Sequence, residues 1–318
     1  MNLIDRALSG EFSPTEVESF LDDVFTGAVD PVVVSGVLIA LRTQPITGAL
    51  LAAGARALRR HAVRVDAPVG AIDTCGTGGD GSGTVNISTA AALVVASCGG
   101  VVAKHGNRAV SSRSGSADVL EAWGIPIDLD GPAATAAMAK TGFAFLMAPR
   151  FHPAMAAVAP VRRALGVRTL FNLLGPLANP AGVRRQIVGV YDPALTGPMC
   201  EALRELGSES ALVVSCGGLD EIGLHAETTG HRLLGSKIWE FRHPNRGVAL
   251  SEIAGGDAAL NARLLGEAMM GGRGPIATAI AVNAGAALWC AGIAPSIVEG
   301  ERQARTAMVM GVDVGRFR

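Results

Sequence analysis

Apolar residues in the first sixty positions recur with the spacing of a helix. Val17, Phe20, Leu21, Val24 and Phe25 fall at i, i+3, i+4, i+7 and i+8, which puts all of them on one side. Ser13-Pro14-Thr15-Glu16 ahead of them supplies an N-cap, a proline at the first helical position and a capping-box glutamate, and Gly27 closes the run. Asp30-Pro31 opens a second helix with Val34, Val37, Leu38 and Leu41 inward, and a third runs through Leu50, Leu51, Ala55 and Leu58. Three short helices make a thin layer that must bury its apolar faces against the rest of the chain or a second subunit.

After Asp66-Ala67-Pro68 the pattern changes to short apolar runs alternating with helical stretches. Strands are expected at Ala71-Ile72, Val101-Val102-Ala103, 143–147, 186–191 and 211–215, with helices at about 88–98, 116–123, 132–140 and 196–206. The alternation predicts an α/β fold: a small N-terminal helical domain plus a larger α/β domain with a mainly parallel central sheet. The boundaries implied are 1–66, completed by helices near 153–180, and 67–318. Ligands of such sheets sit at the carboxyl ends of the strands, so the loops there are the places to look. Between Pro275 and Val298 no side chain is charged, which approaches the length of a membrane span. Thr278, Asn283, two glycines and Pro295 interrupt it, and a core helix with its loop is the better reading.

Composition narrows the function. A chain of 318 residues with 49% hydrophobic content buries a large core and exceeds the usual length of one domain. With 27 basic and 28 acidic residues there is no global field to draw nucleic acid or an anionic membrane, so any anionic ligand must be held by local groups. The cysteines Cys75, Cys98, Cys200, Cys216 and Cys290 are odd in number and widely spaced, as thiols of a reducing compartment are. The N-terminal residues lack the pattern of a signal peptide, and the cytoplasm is the expected location.

Four segments carry candidate chemistry. Asp73-Thr74-Cys75-Gly76-Thr77-Gly78-Gly79-Asp80-Gly81 directly follows the first expected strand, and its glycines let backbone N–H groups turn toward an anion. A tight strand-to-helix connection would need the same residues. Asn86-Ile87-Ser88-Thr89 then opens an apolar helix that Ser88 or Thr89 can cap, with N–H groups and a dipole that favour phosphate. The spacing is not that of a GxGxxG dinucleotide fingerprint. Lys104-His105-Gly106-Asn107-Arg108 brings two cations to the next strand end, and Ser111, Ser112, Ser114 and Ser116 add hydroxyls. Gly217-Gly218-Leu219-Asp220-Glu221 places adjacent carboxylates at another strand end, beside which a polyphosphate could share Mg²⁺. Opposite these, His152 precedes a helix with Arg162 and Arg163, followed by Arg168-Thr169-Leu170-Phe171-Asn172-Leu173-Leu174-Gly175-Pro176-Leu177. Arginine holds a planar carboxylate through two parallel hydrogen bonds, and the sequence does not choose between the two.

In this order, the glycine loop, the Asn-Ile-Ser-Thr helix start, the Lys-His-Gly-Asn-Arg segment and the run ending Leu177-Ala178-Asn179-Pro180 resemble the anthranilate phosphoribosyltransferase family. The resemblance covers most of the chain and is strongest from Asp73 to Tyr191. It implies the nucleoside phosphorylase and phosphoribosyltransferase type of fold, Mg²⁺ as cofactor and a homodimer formed through the helical part. It further implies that Gly76, Thr77, Gly78, Gly79, Asp80, Thr84, Asn86, Ser88, Thr89, Lys104 and Ser116 bind phosphoribosyl pyrophosphate. Ser88, Asp220 and Glu221 would hold the metal. Gly76, His105, Asn107, His152, Arg162 and Gly175 would line the anthranilate path, with His105 and His152 the candidates for a base and neither indispensable. The likeness is looser at Ser215-Cys216, at Ala277-Thr278 and over 230–250.

Two other readings compete. A pyrimidine nucleoside phosphorylase works at the same ribose carbon, but its glycine loop starts with Lys-His-Ser where this chain has Asp73-Thr74-Cys75. A non-catalytic relative that binds nucleic acid through a basic groove gains nothing from Asp220-Glu221.

Overall fold

The computed structural model of the protein describes residues 2–109 and 113–318. Ser111 and Ser112 therefore lie outside the described residues. Four helices, not three, form the N-terminal layer: α1 (Leu3–Leu8), α2 (Pro14–Phe25), α3 (Pro31–Arg42) and α4 (Gly48–Arg60). The helix α1 escapes a periodicity argument because it is six residues long and buries only Ala7. At the start of α2 the capping box forms as the sequence spells it, with Glu16 accepting the Ser13 N–H at 3.1 Å and Ser13 Oγ accepting the Glu16 N–H. Such a cap contributes about 1 kcal/mol.

The remainder alternates as expected. Along the chain come β1 (Ile72–Gly76), α5 (Ile87–Ser97), β2 (Val102–Gly106), α6 (Ser116–Ala122), α7 (Gly131–Thr141) and β3 (Phe143–Met147). Three short helices follow, α8 (Ala148–Phe151), α9 (Ala159–Leu165) and α10 (Phe171–Leu174), then β4 (Arg185–Gly189), α11 (Thr196–Glu205) and β5 (Ser210–Ser215). A hairpin of β6 (Thr228–Leu234) and β7 (Lys237–His243) precedes α12 (Ala258–Met269), α13 (Gly274–Cys290) and α14 (Ile297–Met310). The sheet order is β3-β2-β1-β4-β5-β6-β7, parallel through β5 and antiparallel at β6 and β7. The hairpin goes beyond the expected elements because its outer strand β7 is mostly exposed and carries no continuous apolar run.

Two strands end later than the apolar pattern indicates. Asp73, Thr74, Cys75 and Gly76 belong to β1, paired with Gln186, Ile187, Val188 and Gly189 of β4; Lys104, His105 and Gly106 belong to β2, paired with Phe145, Leu146 and Met147 of β3. Asp73, Thr74, Lys104 and His105 are buried polar residues. Their side chains imitate a loop while their backbones are paired with β4 and β3 respectively.

Apolar clusters form on both faces of the sheet. One joins α5, α6, α12 and α13 to Ile72, Phe145, Ile187 and Leu212. The other joins the inward faces of α2, α3 and α4 to Phe171, Leu174, Leu177, Leu203, Val188 and Val213, so the helical layer rests on residues 158–178 and α11. The uncharged stretch is the core helix α13, buried along nearly its whole length, and no helix among the described residues is long and apolar enough to cross a membrane. Gly285 of α13 lies against Gly300 and Glu301 of α14 so closely that a Cβ on either glycine would strike the opposite backbone.

Candidate active site

The sheet reverses direction of winding at β1, which has β2 on one side and β4 on the other. In parallel sheets this is where the carboxyl ends of the strands open a crevice. The glycine loop leaves β1 there, with Gly78, Gly79, Gly81 and Gly83 at positive φ that side chains rarely adopt. Its root is fixed by the Thr77 N–H donating to the Gly189 carbonyl at 2.9 Å. Its far end is fixed by the Gly255 N–H donating to Gly83 O at 2.7 Å, next to a bridge between Thr84 and Ala254.

The acidic loop lies directly on this root. A Cβ at Gly76 would meet the Asp220 carboxylate, and one at Gly189 would meet the Asp220 backbone, so only glycine at both positions admits the loop. Asp220 accepts the Gly78 N–H at 2.7 Å, while its own N–H donates to Asp80 at 3.4 Å. Glu221 accepts the Ser88 N–H at 3.0 Å. Burial, and then the charge of the neighbouring carboxylate, hold both Asp220 and Glu221 above the ordinary carboxylate range. An excess of negative charge with Lys104 as the nearby cation is a donor set that suits a divalent ion. Among the described residues no three carboxylate, imidazole or thiol groups converge on a point.

This geometry revises the expected cap of α5. The N-cap is Asn86, without a side-chain cap of its own, and Ser88 and Thr89 lie inside the first turn. The Ile87, Ser88 and Thr89 N–H groups are taken by Val85 O, Glu221 and Asn86 O respectively. The backbone of this helix start is therefore committed to a carboxylate from the acidic loop rather than presented to a phosphate. Asn86 donates to Ser114 O at 3.2 Å and accepts from Asn261 at 2.9 Å, leaving the hydroxyls of Thr77 and Thr89 buried with no hydrogen-bond partner among the described residues.

The two cations of the Lys-His-Gly-Asn-Arg segment are less available than the sequence indicates. Lys104 is buried in β2 and donates to Thr74 O; Arg108 is paired with Glu121 at 2.7 Å and Asp118 at 3.1 Å. The Asn107 carbonyl accepts from Ser116 Oγ at 3.2 Å, which folds the segment back onto the start of α6. A cation that the sequence reading left without a role stands nearer the glycine loop: Arg168 donates to Gly79 O and stacks over the Tyr191 ring at 3.8 Å.

On the other side of β2, the rings of His105 and His152 lie 5.0 Å apart. His105 Nδ1 faces the Gly175 carbonyl at 3.2 Å, so that nitrogen carries the proton and Nε2 carries the lone pair. Burial, then the neighbouring His152, lowers His105 to about 3, and burial lowers His152 to about 4. Both rings are neutral, and His105 Nε2 and both ring nitrogens of His152 are buried without hydrogen-bond partners among the described residues. Buried orphans of this kind are rare, and three of them lie side by side on these two rings. Arg162 of α9 is half-buried, with its guanidinium 5.8 Å from the Phe171 ring centroid.

Several residues that brace the site are absent from the expected set. Three successive carbonyls after α10 are held from three elements: Gly175 by His105, Pro176 by Gln186 of β4 at 2.8 Å, and Leu177 by Arg59 of α4 at 2.7 Å. Buried Asp73 accepts the His105 N–H at 3.1 Å and Asn179 Nδ2 at 2.8 Å, and burial raises it to about 6 against the Lys104 charge. Asp73, Gln186 and Asn179 carry one signal in the sequence, a polar side chain inside an apolar strand or loop; Arg59 carries none.

Comparison with known proteins follows the same division. Residues 2–62 match the family model described as the helical bundle domain of a glycosyl transferase family, and residues 69–313 match its a/b domain. The anthranilate phosphoribosyltransferase of Rubrobacter xylanophilus is 46% identical over 314 residues, covering 96% of this chain and 92% of that protein. The crystal structure of anthranilate phosphoribosyltransferase from Thermus thermophilus superposes with a TM-score of 0.92 at 41% identity, over 100% of this chain and 97% of that one. The Saccharomyces cerevisiae enzyme of the same name, in complex with PRPP and Mg, superposes with a TM-score of 0.87 at 27% identity, over 99% and 94% of the two chains.

Proposed function

The chain belongs to the anthranilate phosphoribosyltransferase family of glycosyl transferases, and we propose that it transfers the 5-phosphoribosyl group of phosphoribosyl pyrophosphate to the amine of anthranilate. The products are N-(5-phosphoribosyl)anthranilate and pyrophosphate, in tryptophan biosynthesis. The observation that carries the reading is the placement of two unlike surfaces on one sheet edge. The glycine loop and acidic pair flank one side of β2, and neutral imidazoles with unpartnered nitrogens flank the other.

On the donor side, Gly76, Thr77, Gly78, Gly79, Asp80 and Thr84 would surround the pyrophosphate and ribose. Asn86, Ser88, Thr89, Lys104 and Ser116 would meet the phosphates through their side chains, since the Ser88 N–H already serves Glu221. Asp220 and Glu221, with the Ser88 hydroxyl, would hold Mg²⁺. Its chemistry, when bound, is to neutralise the charge that grows on the departing pyrophosphate.

On the acceptor side, Arg162 would take the anthranilate carboxylate, with Asn107, His152 and Gly175 along the path. Because Gly175 fixes the proton of His105 on Nδ1, Nε2 can only accept, and it would take an N–H of the aryl amine and turn the nitrogen lone pair toward ribose C1. A ring with a pKa of about 3 is a weak base, so it aligns the amine without deprotonating it in advance. The proton leaves after the C–N bond has formed, when the substituted ammonium is acidic.

We further assign residues 1–66 to a helical domain and 67–318 to the catalytic α/β domain. The enzyme is read as a cytoplasmic homodimer that pairs through α1 and α3, where Leu3, Leu8, Val32 and Ile39 are exposed. The deciding experiment follows the loss of anthranilate fluorescence with phosphoribosyl pyrophosphate and Mg²⁺, with EDTA and an Asp220→Asn/Glu221→Gln variant as controls. Loss that needs metal and both substrates supports the assignment; donor binding with no loss points to another acceptor, and no donor binding overturns it.

A further inference from the structure

Helix α13 runs through the core with a surface of alanine, isoleucine, valine and leucine, and Asn283 is the buried polar exception. Its side chain is 3% exposed, and its carboxamide is fully engaged. Asn283 Oδ1 accepts the Ile222 N–H at 3.0 Å, and Nδ2 donates to the Ile222 carbonyl at 3.0 Å and to Ala279 O at 2.9 Å. Both polar groups of one loop residue are thus matched by one side chain, as a neighbouring strand would match them. That residue follows Asp220 and Glu221 directly, and its own side chain is buried in the core.

A carboxamide inside an apolar helix is costly unless every group on it is paired, and an alanine there would avoid the need. What the carboxamide adds is direction. Asp220 and Glu221 reach away from the loop to the Gly78 and Ser88 N–H groups, and each of those contacts could follow a drifting loop. The ring closed by Asn283 fixes both peptide groups of Ile222, the first of them shared with Glu221, and ties them to the buried helix α13.

We propose that Asn283 is a positioning residue for the metal: by clamping the Ile222 peptide it sets the separation and aim of the Asp220 and Glu221 carboxylates, and so the affinity for Mg²⁺ with the donor. This rests on the reading that Asp220 and Glu221 hold Mg²⁺. Residues that orient metal ligands from behind typically alter metal affinity by roughly 10–100-fold when replaced.

The test compares the full-length enzyme with Asn283→Ala, Asn283→Asp and Asp220→Asn/Glu221→Gln. Asn283→Asp keeps an acceptor for the Ile222 N–H and loses the donors, so it remains informative if the alanine variant fails to fold. Calorimetric binding of phosphoribosyl pyrophosphate across a Mg²⁺ series, and the Mg²⁺ concentration for half-maximal rate, are the readouts, with the KM for anthranilate as internal reference. The proposal expects the Mg²⁺ requirement to rise by roughly 10-fold or more in the Asn283 variants, with the anthranilate KM unchanged. An unchanged Mg²⁺ requirement in a folded Asn283 variant, or an equal shift in both quantities, overturns it. If Asp220→Asn/Glu221→Gln retains the wild-type Mg²⁺ requirement, the metal assignment falls and takes the proposal with it.

Discussion

Glu221 accepts the backbone N–H of Ser88 across 133 residues of sequence, at 3.0 Å, so the side-chain cap of the first turn of α5 comes from the acidic loop and not from the N-cap residue Asn86. The same carboxylate therefore has a structural and a chemical task, and substitution separates them. Glu221→Gln keeps an oxygen for the Ser88 N–H and should leave the thermal midpoint near that of the wild type while activity collapses. Glu221→Ala loses both, and should cost about 1 kcal/mol in addition, the usual worth of an N-terminal cap. Chemical denaturation beside the fluorescence assay makes the comparison; equal stability of the two variants would dissociate Glu221 from capping.

Acid should weaken the fold through the imidazole pair. His105 and His152 are lowered to about 3 and about 4 from an ordinary 6.5, so their contribution is fully present above pH 6.5 and is lost as pH falls through their folded values. Asp73, raised to about 6 from 3.8, acts in the opposite sense: its contribution is present below pH 3.8 and lost as pH rises through 6. Thermal midpoints from pH 8 to pH 4 should fall on the acid side, and less steeply in His105→Asn. A slope in His105→Asn equal to that of the wild type over this range would show that the His105 ring is not buried neutral.

Arg162 should matter to one substrate only. Lysine in its place keeps the charge and loses the planar fork, so Arg162→Lys should raise the anthranilate KM by roughly 10–100-fold, the worth of a charge-assisted bidentate pair, and leave the donor KM unaltered. Initial rates with each substrate varied in turn decide this. A matching rise in the donor KM would place Arg162 elsewhere.

Arg59 tests whether the helical layer shapes the acceptor side. Arg59→Met keeps much of the apolar stem and removes the bond to Leu177 O, leaving a buried carbonyl short of a partner. The expected cost is about 1–3 kcal/mol in stability together with a raised anthranilate KM and an unchanged donor KM. Loss of stability alone would make the contact purely architectural.

Much of the architecture is legible in the chain itself. The capping box at Ser13, the succession of strands β1 to β5, and the clustering of the glycine loop, His105 and Asp220 at one sheet edge all follow from local rules. The continuation of β1 through Asp73 to Gly76 and of β2 through Lys104 to Gly106 does not, because polar side chains buried between paired strands look like loop residues until their neighbours are known. The cap of α5 was unreadable for the same reason: Ser88 is a plausible cap by type, and only the fold brings Glu221 to it. Arg59 gives no local signal, and Arg168, although it opens a candidate run, gives no pointer to the glycine loop, since each acts through a backbone carbonyl that any sequence would supply.

The contact of Gly285 with Gly300 has a mechanical consequence. Helices that touch backbone to backbone leave no side chains between them to yield, so α13 and α14 behave as one beam. Asn283 is mounted on that beam a half-turn away, and a load applied to α14 is delivered to the Ile222 peptide with little damping. Prising the two helices apart with a single methyl, as in Gly300→Ala, is thus a way to slacken the acidic loop from behind, without altering Asp220, Glu221 or Asn283.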